Sequence, residues 1–105
     1  MILAGILFFI GKANGQVKIS GKVLDAETKK PIHSAHIIEA LNSRAAITDS
    51  LGSFSIEVTG LPVLLSVSHL SFHPQAVIVD RIIEEGLLVE LISKNVQINE
   101  VIVLA

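Results

Sequence analysis

The chain has 105 residues, of which 50% are hydrophobic and 17% are charged, and its formal net charge at pH 7 is −2. This composition excludes an intrinsically disordered chain, and the length favours one domain. Without a basic surplus there is no electrostatic argument for binding nucleic acid or an anionic membrane. The chain has no Cys, Trp or Tyr, so disulfide bonds cannot stabilise it and aromatic stacking of sugars or bases is disfavoured.

Residues 1–15 have the pattern of a secretory signal peptide. Residues 1–10 form a run of apolar and small side chains, which is shorter than the roughly 18 residues that a membrane-spanning helix needs. Ala13 and Gly15 are small residues two positions apart, which suits cleavage after Gly15. No basic residue precedes the apolar run, so we expect a signal peptide that is clipped at its N-terminus. The alternative is a buried first strand.

Alternating apolar and polar residues predict several short strands. Val17, Ile19 and Val23 alternate with Lys and Ser, which is typical of a strand with one face on a core and the other in water. The same alternation recurs from Phe54 to Val58. Further strands are predicted at residues 35–40, 45–48, 63–69, 75–79 and 87–91, and a bend at residues 71–74. Turn signals roughly every 8–12 residues, with no convincing amphipathic helix, indicate an all-β sandwich or barrel.

Two polar turns have clear sequence signatures. Pro31 closes the turn over residues 25–31, because its ring presets its own φ angle. The strongest signal is Asp49-Ser-Leu-Gly52, in which Asp49 can bind the backbone two residues on and Gly52 can adopt a positive φ. Phe54 directly follows this turn, and we expect it to anchor the core.

The sequence contains no convincing catalytic or metal-binding pattern. His36 and Glu39 have the His-x-x-Glu spacing of a zinc carboxypeptidase, and His33 extends that pattern. However, side chains three apart on a strand point to opposite faces and cannot chelate one ion without a bulge. His69 and His73 lie next to a predicted bend and have no third ligand. We therefore predict no catalytic, metal-binding or cofactor-binding residue, and a protein that is not an enzyme.

Four segments, in this order, resemble the carboxypeptidase-regulatory-like domain: Gly21-Lys-Val23-Leu-Asp25, Pro31-Ile-His-Ser-Ala35-His-Ile37, Thr48-Asp49-Ser-Leu-Gly52-Ser-Phe54 and Val67-Ser-His-Leu-Ser-Phe72. The resemblance covers about residues 17–92. It implies an all-β fold over residues 16–93, namely a seven-stranded, Ig-like or transthyretin-like antiparallel β-sandwich with Greek-key connections. Within it, the structural turn and core residues would be Gly21, Pro31, Asp49, Gly52 and Phe54.

The C-terminal segment, residues 94–105, carries a second resemblance. Its central residues are similar to the segment that follows this domain in TonB-dependent outer-membrane transporters, including SusC-like importers, where it resembles a TonB box; they are Ile98, Asn99, Glu100, Val101, Ile102 and Val103. Such a segment binds a partner by adding a strand to the edge of its sheet. The alternative is that residues 98–104 are the last strand of the sandwich.

Together, these resemblances imply a non-catalytic module of the Gram-negative cell envelope. It would be exported to the periplasm or the outer membrane and would contact an envelope protein, either TonB-like or an outer-membrane receptor or lipoprotein. No nucleic acid and no small-molecule cofactor is implied. The chain could be a truncated receptor. The alternatives are a free-standing secreted sandwich that binds a surface polymer or envelope protein, and an accessory domain of a zinc carboxypeptidase.

Overall fold

The computed structural model describes residues 16–95 as an all-β chain. Its strands are β1 (Val17–Asp25), β2 (His36–Glu39), β3 (Arg44–Ile47), β4 (Ser53–Val58), β5 (Val63–His69), β6 (Phe72–Val79) and β7 (Leu87–Leu91). A short 3-10 helix, Ala40–Asn42, follows β2. No helix in this part of the chain is long and apolar enough to cross a membrane. The predicted signal peptide and the predicted partner-binding residues 98–103 lie outside the described residues.

The strands form two sheets, as expected for a β-sandwich. The three-stranded sheet has the order β4–β1–β7, and the four-stranded sheet has the order β3–β2–β5–β6. β1 pairs antiparallel with β4 but parallel with β7, so the prediction of a fully antiparallel sandwich is wrong for that pair. The chain between β1 and β7 includes all four strands of the other sheet as well as β4, and it supplies the long connection that a parallel pair requires. The Ig-like or transthyretin-like topology and the Greek-key connections stay predictions.

One hydrophobic core lies between the two sheets, and both contribute to it. On β5, Val63, Leu65 and Val67 are buried whereas Leu64 and Ser66 are exposed, which is the alternation that the sequence predicts for a strand with one buried face. The three apolar side chains of β4 are likewise buried. Each fully buried aliphatic side chain contributes roughly 1.5–3 kcal/mol relative to an exposed one, so this interface is the main source of stability.

The two sheets also meet beyond the ends of their strands. The His73 N–H donates to the Ile92 carbonyl at 2.8 Å, and the Lys94 N–H donates to the Ser71 carbonyl at 2.9 Å. These bonds join the start of β6 to the residues that follow β7. Because β6 begins at Phe72, the bend predicted over residues 71–74 is wrong. Pro74 is compatible with β6 since this strand lies at the edge of its sheet, where a missing N–H is tolerated.

Candidate functional site

The turn between β3 and β4 carries the chain from the four-stranded to the three-stranded sheet, so these two strands do not pair with each other. Asp49 Oδ1 accepts hydrogen bonds from the N–H groups of Leu51 and Ser53, both at 2.9 Å. Gly52 has a φ of +76°, and a Cβ at this position would lie 2.7 Å from the Val23 carbonyl oxygen. The Gly52 carbonyl in turn accepts a hydrogen bond from the Val23 N–H at 2.8 Å. Hydrogen bonds to its own aspartate and contact with β1 therefore fix the conformation of this turn.

Gly21 lies at the centre of the three-stranded sheet, opposite Phe54 on one neighbouring strand and Leu87 on the other. A Cβ at Gly21 would collide with the Leu87 carbonyl oxygen and would lie 2.8 Å from the Phe54 ring. The ring itself is buried. Pro31 lies in the loop before β2 and forms an isolated antiparallel bridge with Leu24. These predicted structural residues thus lie around β1 and its neighbours.

Thr48 is a structural residue that the sequence analysis treated only as part of a motif. Its side chain is 2% exposed. The hydroxyl donates to the Ile32 carbonyl at 2.7 Å and accepts from the Ala35 N–H at 2.8 Å. It thereby satisfies two buried backbone groups of the loop before β2. A hydroxyl residue at the end of an apolar strand, just before a turn aspartate, is the sequence signal that could have identified it.

The candidate metal ligands do not converge. His36 is exposed on β2 whereas Glu39 is buried on the opposite face, as expected for residues three apart on a strand. His69 Nδ1 accepts a hydrogen bond from the Ser71 N–H at 3.0 Å, so Nε2 carries the proton and donates to the His33 carbonyl at 3.1 Å. Through these two hydrogen bonds, His69 stabilises the β5–β6 turn. Over residues 16–95, no three His, Asp or Glu side chains are close enough to hold a metal ion.

The outer faces of the two sheets differ sharply in charge. The polar face, on the three-stranded sheet, consists of the outward residues Lys18, Ser20, Lys22, Leu24, Ser53, Ser55, Glu57, Leu88 and Glu90. The aliphatic face, on the four-stranded sheet, consists of His36, Ile38, Ala45, Ile47, Leu64, Ser66, Ser68, Pro74, Ala76 and Ile78. No Asp, Glu, Lys or Arg lies on the aliphatic face, and His36 is its one titratable side chain.

Pairing across the strands brings aliphatic side chains together on this face, although Ser66 lies between Ile38 and Ala76. Ile38 lies opposite Ala45 on one neighbouring strand and Ser66 on the other, and Leu64 lies opposite Ile78. The exposed fraction is 57% for Leu64 and 72% for Ile78. These large side chains are therefore neighbours within one surface rather than isolated exposed residues. The alternation of residues predicts the strands but not this face.

A pocket of about 460 Å³ lies where β2 ends, beside the aliphatic face. Its walls come from the 3-10 helix, from the β4–β5 loop and from the start of β5: Ala40, Leu41, Asn42, Thr59, Gly60, Pro62, Val63 and Leu64. Glu39 also lines it, although its side chain is only 2% exposed. Within the described range, Glu39 Oε1 is the one buried side-chain oxygen or nitrogen with no hydrogen-bond partner.

Arg44 is the cross-strand neighbour of Glu39, but its guanidinium is directed elsewhere. With the Gln16 amide oriented so that its nitrogen donates to Glu57 at 2.6 Å, the amide oxygen accepts from Arg44 Nη2 at 3.1 Å. The only ion pair found between residues 16 and 95 joins Lys29 to Glu90 at 2.9 Å. Arg44 therefore does not neutralise Glu39.

A larger groove of about 770 Å³ runs beside β1, below the loop between β6 and β7. Side chains of both signs line it, among them Lys18, Lys22, Arg81, Glu84 and Glu85. Among the described residues, the one buried side-chain oxygen or nitrogen without a hydrogen-bond partner belongs to the smaller pocket and not to this groove. Its lining is typical of a solvated surface, so it provides no anchor for a specific ligand.

Comparison with known proteins gives one result. The family model described as the CarboxypepD_reg-like domain matches residues 19–103. No curated protein and no solved structure shows a significant match to the chain. The family match spans most of the sequence and includes all seven strands of the described sandwich except the first two residues of β1. The chain therefore belongs to the CarboxypepD_reg-like domain family.

Proposed function

We propose that this chain is a non-catalytic module of the cell envelope that acts through protein–protein contacts. The observation that carries the proposal is the aliphatic face, which is free of Asp, Glu, Lys and Arg and has large exposed side chains at Leu64 and Ile78. Contact between water and aliphatic groups is unfavourable, and large exposed apolar patches mark interaction sites. The polar face of the same sandwich lacks such a patch.

The chemistry of the face defines its partner. A charged group placed against this surface would lose its water without gaining a countercharge, which is costly. An aliphatic surface gains free energy from the same burial, by roughly 25 cal/mol per Å² of apolar area removed from water. The partner is therefore an envelope protein that presents an apolar surface to the aliphatic face.

Residues 98–103 would provide a second contact, by adding a strand to the partner's sheet. The family match extends to residue 103. The alternative, a last strand of the sandwich, predicts that these residues are needed for folding.

The proposed location is the periplasm or the outer membrane. Family membership, the signal-peptide pattern of residues 1–15 and the likeness of residues 98–103 to a TonB box support it. The proposed partner is a TonB-like protein or an outer-membrane receptor or lipoprotein. An immunoblot of fractionated cells, with an antibody against residues 16–92, tests this location. A much larger band in the outer membrane would identify a receptor, a small band in the periplasm would identify a free-standing module, and a cytoplasmic band would contradict the proposal.

Site-specific photocrosslinking in the producing cells tests the contact itself. We would place p-benzoylphenylalanine at position 38 or 78 of the full chain and, as matched controls, at position 22 or 55 on the polar face. We expect an adduct with another protein from the aliphatic face and none from the polar face. Equal adducts from both faces, or none from positions 38 and 78, would overturn the proposal.

Deletion of residues 98–104 separates the two interpretations of the C-terminal segment. If the segment is a tether, the shortened sandwich should fold with an unchanged circular dichroism spectrum and thermal midpoint, and the partner adduct should disappear. If the segment is a core strand, the deletion should unfold the domain. Retention of both the fold and the adduct would also contradict the tether.

A further inference from the structure

Glu39 is the one side chain of the described core whose burial has no polar compensation. It is 2% exposed, and its Oε1 has no hydrogen-bond partner. Buried polar atoms in folded proteins are almost always hydrogen-bonded, because a buried carboxylate oxygen without a donor is costly. The neighbouring Arg44 is directed toward Gln16. Glu39 Oε1 therefore has no hydrogen-bond donor within the described sandwich.

The pocket beside Glu39 has the shape to admit such a donor. One wall is the 3-10 helix and the other is the β4–β5 loop, and the Asn42 amide nitrogen joins them by donating to Thr59 Oγ1 at 3.2 Å. At Gly60, a Cβ would meet no heavy atom within 4 Å, so the loop leaves open space. The space between these walls has a volume within the range of small-ligand sites.

The walls select an aliphatic chain that ends in a cation. Leu41 and Pro62 are exposed, and Leu64 belongs to both the pocket and the aliphatic face. Such surfaces pack against the methylene stem of a long side chain while its charged end reaches a polar group. A lysine ammonium is a compact charge with three donors, which suits a single carboxylate oxygen, whereas arginine is adapted to two parallel hydrogen bonds.

We propose that this pocket binds a lysine side chain of the partner protein, with the ammonium donating to the Glu39 carboxylate. This inference rests on the proposed function and deepens it, because it names one residue of the partner. Leu64 and its cross-strand neighbour Ile78 lie on the aliphatic face next to the pocket. An apolar partner segment on that face would therefore carry its lysine at the margin, where the pocket opens.

The test is a titration of the full chain, labelled with nitrogen-15, with two tripeptide amides. One is acetyl-Ala-Lys-Ala-amide, and the other carries norleucine in place of lysine and so keeps most of the stem but lacks the charge. We expect the lysine peptide to shift the backbone amide resonances of residues 39–42 and 59–64. The norleucine peptide should bind at least tenfold more weakly.

Glu39→Gln keeps the shape of the side chain and removes its charge, so it should weaken binding of the lysine peptide at least tenfold. The matched control is Glu27→Gln, in the exposed turn before β2, which should change the dissociation constant by less than twofold. Equal binding of the two peptides, unchanged affinity in Glu39→Gln, or shifts confined to another surface would overturn the proposal.

The experiments distinguish failure of the lysine site from failure of the proposed contact on the aliphatic face. If Glu39→Gln does not fold, the comparison of the two peptides on the wild-type chain still decides the proposal. If positions 38 and 78 crosslink to a partner but lysine and norleucine bind alike, only the lysine site is overturned. If lysine binds as expected but no adduct forms from the aliphatic face, the proposed contact is overturned instead.

Discussion

The two sheets have similar inner faces but opposite outer faces. Both inner faces are aliphatic, since the core takes buried side chains from every strand except β3 and from the loops. Outside, the polar face carries Lys18, Lys22 and Glu57, whereas the aliphatic face carries Leu64 and Ile78. Folding requires only that the inner faces be buried. The proposed contact with another protein would account for the apolar character of one outer face.

Cross-strand pairs on the two outer faces stabilise the sheets by different means. On the polar face, Lys18 lies directly opposite Glu57, which brings opposite charges together. On the aliphatic face, Leu64 lies opposite Ile78. Either kind of pair favours its sheet by a fraction of a kcal/mol, roughly 0.2–1 kcal/mol. Sheet formation alone thus gives no reason to prefer aliphatic residues on one side, which strengthens the case for a functional origin.

The largest expected effect separates the inner from the outer side of a single strand. Leu65 is fully buried on β5, and its neighbour Leu64 is 57% exposed. Leu65→Ala should lower the free energy of unfolding by about 2–5 kcal/mol, because it leaves a cavity in the core. Leu64→Ala should lower it by less than about 1 kcal/mol. Urea unfolding of both variants checks this, and equal losses would show that the outer side of β5 is packed as tightly as the core.

The next effect concerns the turn between β3 and β4, which joins the two sheets. Gly52→Val should cost about 1–3 kcal/mol, because a β-branched residue is strained at positive φ, and its Cβ would also approach the Val23 carbonyl oxygen. The thermal midpoint should fall accordingly. Gly60→Val is the matched control, since a Cβ there meets open space. An unchanged midpoint for Gly52→Val would contradict the turn assignment.

Thr48→Val tests the hydroxyl that links the end of β3 to the loop before β2. The change keeps the volume but leaves the Ala35 N–H without the hydroxyl that accepts from it at 2.8 Å. We expect a loss of about 1–3 kcal/mol, the usual cost of an unsatisfied buried donor. Thr48→Ser keeps the hydroxyl and should retain more stability than Thr48→Val. The reverse order in chemical denaturation would show that the methyl group, and not the hydrogen bonds, fixes this residue.

Much of the fold could be predicted from local patterns. The strands around Ile19 and Ile56 depend on alternation, and the turn of Asp49 and Gly52 depends on turn chemistry. Both act over a few residues. The parallel pairing of β1 with β7 could not be predicted in this way, because it joins residues more than 60 positions apart. The position of Pro74 within β6 was missed for a similar reason, since it depends on the edge location of that strand.

The candidate site was harder to predict than the fold. Alternation assigns Glu39 to the inner face of β2 together with Ile37, but a glutamate at that position was considered only as a metal ligand. Its burial depends on the 3-10 helix and on the β4–β5 loop, which is distant in sequence. The aliphatic face was missed because single-strand patterns do not show that Leu64 and Ile78 are neighbours. Both features become visible only once the strand order is known.

The smallest expected change in stability gives the sharpest test of the two outer faces. Ile78 is 72% exposed, so Ile78→Lys should change the free energy of unfolding by only about 0.5 kcal/mol. The same change places a charge within the proposed contact, so the photocrosslinked adduct from position 38 should disappear. Lys22→Ile on the polar face is the matched control, and it should leave that adduct intact. A retained adduct in Ile78→Lys would exclude this face as the contact, whereas a loss of stability above about 1.5 kcal/mol would show that Ile78 supports the fold itself. Because Ile78 is mostly exposed in the folded chain, loss of the adduct without loss of stability would have to come from the proposed contact with the partner.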